Sequence, residues 1–540
     1  MTMTEKKGFI RGAVILSLSG ILVKLLGAAL RIPLANKLGA GMAYYNVAYT
    51  VYAVFLALAT AGFPVAVSRL VSERAAVGNE SGARSVFFTA LKLMAVLGSG
   101  AFAICFFGAE FIAESIDIPE AEISLRAIAP ALCVVPLLAA FRGYFQGMQD
   151  MRPTAVSEIL EQAVRVAVGL FLGFRLYDEG LPAAAAGAAF GAVAGAAAAM
   201  TAVLAIYRMF FNGGEKRRGK TGSSDRQTVR GSSREESSAD ILKKILWIAV
   251  PIIIGAEIMP LMSAIDMSLV ASRLQDTGWS KEEALNLYSQ YGAYCDTLIS
   301  LPQTFTQAIA VSLVPSIAAF YWQGRREKVQ ETIRTSMRMT MLLACPCAAG
   351  LFVLARPIML MLYFEQTENA LQAAPTLQAM TVGVIFLAIS QTTTGALQSV
   401  GKQLVPVRNL ALGAAAKIGV TYVLLGIPEI NVKGAAIGTN AAYLIALLLN
   451  MYAVKRETGV SFDVTRTYVK PAAAALIMAV CVFASYNILS AWIGNTPATL
   501  GSIALGILSY GVLALRMGAV SKAELAALPC GEFMLKIFRV

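Results

Sequence analysis

The sequence predicts an all-α polytopic membrane protein with about fourteen transmembrane helices. Of its 540 residues, 57% are hydrophobic and 14% are charged, whereas soluble globular proteins carry roughly 25% charged residues. Apolar runs of about 20 residues recur along the chain, and each is long enough to cross a hydrocarbon core about 30 Å thick. These runs are too long for barrel strands and do not alternate in polarity, so a helical bundle is the spanning structure that remains.

The spans follow the apolar runs in chain order. They cover residues 10–35, 43–69, 86–109, 126–147, 153–176, 181–209, 242–272, 287–318, 333–355, 372–400, 404–426, 431–454, 468–490 and 497–516. Most of the 45 Lys and Arg residues lie at span ends on one side of the membrane, and segment 110–122 on the other side has five acids and no base. By the positive-inside rule, this asymmetry predicts a multi-pass protein of the cell membrane with both termini in the cytoplasm. The net charge of +12 therefore orients the chain and does not indicate nucleic-acid binding.

Several classes of function are excluded by what the chain lacks. It contains no histidine, which excludes His-dependent acid–base catalysis and the commonest metal ligand. The seven cysteines have neither disulfide-framework nor zinc spacing, and no Walker motif or nucleophile triad is present. We therefore predict a protein that is not an enzyme and binds no cofactor or metal. Transport would then be driven by the membrane potential, or by coupling to Na⁺ or H⁺.

The chain divides at one long polar stretch. Residues 212–240 are rich in Gly, Ser and charge, which is typical of a flexible linker, here on the cytoplasmic side. The linker separates an N-terminal lobe of six helices (1–211) from a C-terminal lobe of six helices (241–455). Two further helices and a cytoplasmic tail follow (456–540).

The two lobes resemble each other in sequence. The run RGYFQG at 142–147 aligns with TGALQS at 394–399, which lies 252 positions later, and a weaker match aligns 65–78 with 311–324. Six spans separate equivalent positions, so the two copies have the same orientation in the membrane. The repeat predicts pseudo-two-fold symmetry about an axis along the membrane normal, as in two-lobed transporters with a central cavity.

Two bases in the first span are expensive to bury in lipid. Lys24 lies near the middle of the span, where an isolated base costs about 2.5–3.5 kcal/mol on insertion scales. Arg31 follows seven residues later, on nearly the same face and roughly 10 Å along the axis. A water-filled cavity, or for Lys24 an ion pair with a carboxylate, would explain this placement, and Arg31 could also extend to the external surface.

The fifth span carries a charged stripe. Glu158, Glu161 and Arg165 are spaced three and four residues apart, so they share one side of a helix. Either Glu161 and Arg165 form an ion pair within the helix, or the stripe lines a cavity. In the sixth span a repeated GxxxG pattern predicts close helix packing through Gly187, Gly191 and Gly195.

The C-terminal half offers polar candidates of a different kind. Asp296 and Gln303 lie in the eighth span, whose polar side chains and two prolines predict a helix that faces water. Asp266 lies in the seventh span, and Asn409 and Asn440 lie in later ones. Their hard oxygen atoms suit a sodium or proton coupling site.

Four stretches carry a family resemblance over nearly the whole chain, from Gly8 to about Leu515. They are GILVKLLGAALRIPLANKLGAGMAYYNVAYTVYAVFLALATAGFPVAVSRLVSE, FRGYFQGMQDMRPTAVSEILEQAVRV, MPLMSAIDMSLVASRLQ and LISLPQTFTQAIAVSLVPSI. The chain resembles the MurJ-like and stage V sporulation protein B-like polysaccharide flippases of the multidrug/oligosaccharidyl-lipid/polysaccharide (MOP) exporter superfamily. The resemblance implies two six-helix lobes around a central cavity, with two C-terminal helices that form a groove for a polyprenyl tail.

The resemblance also implies a cargo and some of its contacts. The cargo is a lipid-linked cell-wall precursor such as lipid II, and bases of the first span line the cavity. Lys24 occupies one such position, and Arg31 lies close to a second. The chain departs from the proteobacterial pattern around Leu58, where a cavity Arg is absent, and at Thr297, which replaces an Arg. The match is closer to the Firmicute-type branch.

We therefore expect a flippase that moves lipid II from the cytoplasmic to the outer leaflet by alternating access. One alternative is a drug or cation antiporter of the multidrug and toxin extrusion (MATE) type, which would centre its cavity on carboxylates. A second alternative is a non-transporting scaffold for envelope or spore assembly. The partners expected are the lipid-linked saccharide, membrane lipids and other cell-wall synthesis proteins, and the chain is expected to be a monomer.

Overall fold

The computed structural model describes residues 3–218 and 237–519. Within these ranges the chain is almost entirely helical and contains no β-strand, so the predicted all-α class is confirmed. Positions 219–236 of the predicted linker and positions 520–540 of the predicted tail lie outside the described residues.

The first half of the described chain contains nine α-helices. These are α1 (Met3–Leu38), α2 (Met42–Thr60), α3 (Phe63–Ala76), α4 (Glu80–Phe107), α5 (Ala109–Ser115), α6 (Glu122–Ile128), α7 (Ala131–Gly147), α8 (Arg152–Arg175) and α9 (Leu181–Arg218). Helix α9 continues into the predicted linker as far as Arg218. The basic run that ends it consists of good helix formers whose charges favour a helix C-terminus.

The second half of the described chain contains ten α-helices and two π-helical segments. The α-helices are α10 (Ser238–Asp276), α11 (Lys281–Ser289), α12 (Asp296–Trp322), α13 (Arg326–Val353), α14 (Ala355–Leu362), α15 (Thr367–Ser399), α16 (Leu404–Leu425), α17 (Lys433–Thr458), α18 (Lys470–Ile493) and α19 (Asn495–Arg516). The π-helical segments, Gln290–Cys295 and Thr465–Val469, lead directly into α12 and α18. Such segments often mark functional places in a helix.

Ten stretches of the described residues are long and apolar enough to cross a membrane. One of them, Leu22–Ala76, runs through α1, α2 and α3 together. Helices α8, α12 and α16 are not among the ten. Helix α8 carries Glu158, Glu161 and Arg165, whose charges lower its hydropathy. The protein is thus a multi-pass membrane protein, and the number of fourteen spans stays a prediction.

The chain forms two compact units. The first comprises Met1–Leu34 and Gly41–Met267, and the second comprises Ala35–Ala40 and Ser268–Val540. The first part of α10 belongs to the first unit because it packs on the junction of α2 and α3. The two backbones are so close that a β-carbon added to Gly62 would lie 2.9 Å from the Cα of Ala249. The lobe boundary predicted at the linker therefore stays a prediction.

The internal repeat is visible in how helices pack within each unit. A β-carbon on Gly143 of α7 would lie 2.9 Å from the Pro64 carbonyl oxygen of α3. In the second unit a β-carbon on Gly395 of α15 would lie 2.6 Å from the Ala310 carbonyl oxygen of α12. The two glycines are 252 positions apart, which is the offset between 142–147 and 394–399. Pro64 and Ala310 are 246 positions apart, which is the offset between 65–78 and 311–324.

The turns of the repeat match as well. Gly78 and Gly324, 246 positions apart, end α3 and α12 with φ of 72° and 70°. Gln149 and Gly401, 252 positions apart, follow α7 and α15 with φ of 64° and 79°. Left-handed backbone is uncommon enough that its recurrence at matched positions indicates a true structural repeat.

Candidate functional site

The two bases predicted on α1 both lie outside the packed core. Lys24 is exposed and Arg31 is half-buried, and the seven residues between them correspond to about 10 Å along the helix. The helix therefore offers an ammonium and a guanidinium group at two levels of one face.

A row of tyrosines on α2 lies beside these bases. Tyr45, Tyr49 and Tyr52 are spaced four and three residues apart, so their rings follow one side of the helix. The rings of Tyr45 and Tyr49 stack with centroids 6.0 Å apart, and the Tyr49 and Tyr52 centroids are also 6.0 Å apart. Tyr45 and Tyr52 are buried, so the row is a fixed wall of the first unit.

Two guanidinium groups lie over the Tyr49 ring. The guanidinium carbon of Arg31 lies 5.2 Å from the Tyr49 ring centroid, and that of Arg165 lies 4.9 Å from it. Cation–π contacts of this kind contribute about 0.5–2 kcal/mol each. The first unit therefore holds one base of α8 and one of α1 over a single aromatic ring.

Glu161 is paired with a base that the sequence analysis did not select. Nη2 of Arg142, on α7, lies 2.7 Å from Oε2 of Glu161. Arg142 also donates from Nε to the Ser157 hydroxyl at 2.9 Å, and this hydroxyl donates to the Thr154 carbonyl at 2.8 Å. The spacing of Glu161 and Arg165 would allow an ion pair within α8, and the structure pairs Glu161 with Arg142 of α7.

The cluster as a whole is basic. The second carboxylate, Glu158, is half-buried and accepts a hydrogen bond from the Ser19 hydroxyl at 3.5 Å. Within this set of side chains, two carboxylates therefore stand against four bases. We call this set the basic cluster, and its members are Lys24, Arg31, Arg142, Glu158, Glu161 and Arg165.

Close packing fixes α8, the helix that carries three of these six side chains. A β-carbon on Gly191 of α9 would lie 2.6 Å from the Arg165 carbonyl oxygen, and one on Gly195 would collide with the Glu161 carbonyl. Helix α8 also meets α1, since a β-carbon on Gly169 would lie 3.2 Å from Cδ1 of Leu30. The GxxxG pattern thus sets α9 directly against the α8 backbone, as small residues do in membrane helices.

This packing makes a testable prediction. Gly191→Val should lower membrane abundance and thermal stability, because overpacking of this kind typically costs about 1–3 kcal/mol. Gly100→Val on α4 is the matched control, since no atom lies within 4 Å of a β-carbon there. The measurement is the unfolding temperature of both purified variants, and equal temperatures would contradict the assignment.

Two polar candidates of the second unit lie on α12. Asp296 is exposed at the start of α12, and Gln303 is half-buried two turns later. Near them, the buried Thr306 hydroxyl donates to Oε1 of Gln391 at 2.6 Å. Thr392, on the same helix as Gln391, shares a 2.7 Å hydrogen bond with Thr340. These bonds join α12, α13 and α15 through hydroxyl and amide groups.

The repeat shows how the second unit differs from the first. The counterparts of Arg142, Ser157 and Glu161 at the offset of 252 are Thr394, Asn409 and Gly413. Asn450 donates to the Thr394 hydroxyl at 3.3 Å and accepts from Asn409 at 2.9 Å. A neutral amide network thus occupies the place where the first unit has an ion pair.

The structure does not bring the two predicted asparagine ligands together. Asn409 bonds to Asn450 near the end of α17, whereas Asn440 donates to the Ala379 carbonyl at 2.6 Å. Ten residues of α17 separate Asn440 from Asn450, which is about 15 Å along the helix. The Arg408 guanidinium also donates to Oδ1 of Asn409 at 3.3 Å, which disfavours a cation on that oxygen.

Two acidic side chains of α10 are buried. Asp266 has a relative exposure of 5% and Glu257 one of 6%. Neither carboxylate oxygen of Glu257 has a hydrogen-bond partner among the described residues. A buried carboxylate of this kind is costly unless it takes up a proton or a cation. In the described parts of the chain, no group of three metal-ligating side chains comes together.

Sequence reasoning missed Arg142 and the tyrosine row. The spacing of Tyr45, Tyr49 and Tyr52 on one side of a helix was a signal that could have been read. Arg142 stands at a span end, where positive-inside orientation explains it equally well. Its role depends on the packing of α7 against α8, which a single sequence does not give.

Comparison with protein families decides the relationship of the chain. Residues 9–321 match the family described as polysaccharide biosynthesis protein, which is more than half of the chain. The chain belongs to this family. Residues 291–423 also match the MatE family.

Three relatives of this polysaccharide biosynthesis family member come from Bacillus subtilis. The membrane protein YabM is 28% identical over 98% of this chain and 96% of its own length. The lipid II flippase MurJ is 26% identical and covers 84% of both chains, and stage V sporulation protein B is 25% identical over 97% of this chain and 98% of its own. The resemblance to MurJ-like and stage V sporulation protein B-like flippases is confirmed.

Solved structures confirm the fold of a MOP-superfamily transporter. An inward closed conformation of the lipid II flippase MurJ matches with a TM-score of 0.67 at 16% identity, over 94% of this chain and 98% of that one. An inward-facing MATE transporter of the MOP superfamily also has a TM-score of 0.67 at 16% identity, over 83% of this chain and 99% of that one.

Proposed function

We propose that this protein is a flippase for a lipid-linked cell-wall precursor, namely lipid II, which it moves from the cytoplasmic to the outer leaflet by alternating access. The observation that supports this most is the basic cluster, in which bases of α1, α7 and α8 outnumber the carboxylates. The relative named as a lipid II flippase supports the same cargo. Lys24, Arg31 and Arg165 would contact the diphosphate.

The physics of the cargo fits such a cluster. A diphosphate-linked sugar cannot cross hydrocarbon unaided, because its polar groups would lose water without compensation. Guanidinium groups donate paired hydrogen bonds to phosphate oxygens, and lysine serves as a point charge. An inside-negative potential favours outward movement of the anion by about 2.3 kcal/mol per charge per 100 mV.

The distribution of charge argues against a cation antiporter. Within the basic cluster, a cation cargo would need carboxylates that are not already neutralised, but Glu161 is bound by Arg142 at 2.7 Å. The MATE-type structure also covers less of this chain than the MurJ structure does, 83% against 94%. This is expected if α18 and α19 serve a polyprenyl tail.

The test is complementation of a strain in which the resident lipid II flippase is depleted. We expect the full chain to restore growth and the outer-leaflet exposure of lipid II. Membrane insertion without restored exposure would contradict the proposed cargo. A drug-resistance phenotype in the same strain would favour the antiporter, and growth that survives neutralisation of the whole basic cluster would favour a scaffold.

The proposal includes an arrangement in the membrane. Both termini lie in the cytoplasm, and the lobes 1–211 and 241–455, joined by the linker 212–240, are related by a pseudo-two-fold axis around a central cavity. Residues 456–540 add two helices and a tail. The protein acts as a monomer and meets other cell-wall synthesis proteins through its shared substrate.

Coupling to Na⁺ or H⁺ would run through the buried acids of α10. We expect Asp266→Asn or Glu257→Gln to reduce the dependence of transport on external sodium or pH, because each removes a titratable oxygen ligand. Asp240→Asn, at the exposed start of the same helix, is the control. The measurement is the initial rate of lipid II translocation across a series of pH and sodium values. Full retention of both dependences in both variants would place coupling elsewhere.

A further inference from the structure

Arg142 and Glu161 form an ion pair that is not fully closed off. Nη2 of Arg142 lies 2.7 Å from Oε2 of Glu161, and 14% of the Arg142 side chain and 20% of the Glu161 side chain are exposed. Nε of Arg142 donates to the Ser157 hydroxyl at 2.9 Å, so the guanidinium is held in place independently of the carboxylate. An anion that replaced the carboxylate would therefore find this base already in position.

The second unit shows that the repeat folds without a charge pair at this place. The residues that correspond to Arg142, Ser157 and Glu161 at the offset of 252 are Thr394, Asn409 and Gly413. They are uncharged, and Asn450 joins the first two through hydrogen bonds of 3.3 and 2.9 Å. A buried ion pair is weak evidence for stability, because the loss of water from both charges offsets their attraction. The charges in the first unit therefore indicate a role other than folding.

Glu161 occupies the same donors that a phosphate would use. Carboxylate and phosphate groups both bind a guanidinium through charge-assisted, paired hydrogen bonds. Arg165, the other base that helix spacing allows for Glu161, lies instead over the Tyr49 ring, with its guanidinium carbon 4.9 Å from the centroid. The carboxylate is thus committed to Arg142 while the site holds no cargo.

We propose that Arg142 contacts the diphosphate of the cargo and that Glu161 is an internal competitor for this base. The inference rests on the flippase function proposed above. The entering diphosphate displaces the carboxylate from Arg142, and the carboxylate displaces the diphosphate when the cargo moves on. Arg165 lies one turn beyond Glu161 on α8, about 6 Å along the axis. Because α8 begins in the cytoplasm in the proposed arrangement, the cargo meets Arg142 before Arg165.

An internal competitor prevents a basic site from trapping its cargo. Guanidinium groups bind phosphate oxygens strongly, so a row of unopposed bases would release a diphosphate slowly. As in ion channels, passage requires binding that is favourable enough for entry and weak enough for exit. A carboxylate that returns to Arg142 lowers the cost of leaving it, since the base exchanges one anion for another.

The experiment measures binding of undecaprenyl diphosphate to the purified full-length protein, from the shift in unfolding temperature as the lipid is added. We expect Glu161→Gln to bind about tenfold more tightly than the wild type and Arg142→Gln about tenfold more weakly, as for one charge-assisted interaction gained or lost. In Arg142→Gln/Glu161→Gln the gain should vanish, because the base for which the carboxylate competes is absent. A gain that persists without Arg142 would assign the competition to another base and overturn the proposal.

Glu158→Gln is the matched control, because it removes the same charge one turn earlier on α8. Glu158 accepts a hydrogen bond from the Ser19 hydroxyl at 3.5 Å. We expect its removal to tighten binding by only about twofold, as for a charge without a direct contact, and to do so with or without Arg142. Equal gains in Glu158→Gln and Glu161→Gln would show a general effect of charge and contradict a specific competitor.

A conservative variant separates competition from folding. Glu161→Asp keeps the charge but draws the carboxylate back from Arg142 by one methylene, so it should give an intermediate gain in affinity at a wild-type unfolding temperature. In the translocation assay, Glu161→Gln should lower both the half-saturating lipid concentration and the maximal rate. A purely structural ion pair would instead lower the unfolding temperature of both variants without tighter binding, and this result would overturn the proposal.

The binding assay also separates this inference from the proposed cargo. Phosphatidylglycerol carries a single phosphodiester charge, and it should gain less from Glu161→Gln than undecaprenyl diphosphate does. Equal gains would make Arg142 a general site for anionic lipids and contradict the assignment. Because binding is measured without translocation, a chain that fails to flip lipid II but shows the gain that depends on Arg142 would keep the competitor and lose only the cargo.

Discussion

Lys24→Ala is expected to abolish complementation of a lipid II flippase depletion strain at normal membrane abundance, whereas Lys24→Arg should retain much of it. The ammonium group lies at an exposed position of α1, seven residues before Arg31 on nearly the same face of the helix. A point charge at this place can be replaced by another base more readily than by a neutral side chain. The measurement is growth after depletion, paired with a quantitative membrane blot.

The control for Lys24 is a second lysine of the same unit. Lys92 is exposed on α4 and lies within a predicted span, so Lys92→Ala removes the same charge from a membrane helix outside the basic cluster. We expect it to complement normally. Wild-type growth of the Lys24→Ala strain would end the role assigned to this lysine.

Tyr49→Leu is expected to lower transport about tenfold or more, whereas Tyr49→Phe should stay within a few-fold of the wild type. The leucine removes both cation–π contacts, each of which contributes about 0.5–2 kcal/mol, and frees the Arg31 and Arg165 guanidinium groups from their common ring. The phenylalanine keeps the ring and loses only the hydroxyl. The measurement is the initial rate of lipid II translocation at several substrate concentrations.

A second cation–π pair provides the control for Tyr49. The guanidinium carbon of Arg273 lies 4.4 Å from the centroid of the Tyr422 ring in the second unit. Tyr422→Leu removes a contact of the same type far from the basic cluster in sequence, and transport should be unchanged. If Tyr49→Leu and Tyr422→Leu reduced transport equally, general destabilisation would explain both.

Much of the fold could be predicted from sequence because it follows from composition and periodicity. The apolar runs identify the helices, and the glycines of α9 predict a contact with α8 that the structure contains at Gly191 and Gly195. The weak match of 65–78 with 311–324 is supported by the left-handed turns at Gly78 and Gly324. Such features depend on local spacing.

The partners within the candidate site could not be predicted in the same way. The spacing of Glu161 and Arg165 offered an ion pair within one helix, but Arg142 of another helix takes the carboxylate. Asn409 and Asn440 looked equivalent as oxygen ligands, yet each bonds to a different neighbour. Which side chains meet across helices depends on how each helix is rotated about its axis and how far it is shifted along the bundle. A single sequence does not determine either.

The central claim is that the protein moves lipid II outward by means of the basic cluster. The most direct measurement is the fraction of lipid II that a membrane-impermeant degrading enzyme can reach at the outer surface of flippase-depleted cells that express this chain. The account predicts that the wild type restores the accessible fraction and that Lys24→Ala, at equal membrane abundance, does not. The account would be contradicted if the accessible fraction of lipid II stayed at the depleted level with the wild type. It would also be contradicted if Lys24→Ala restored that fraction fully.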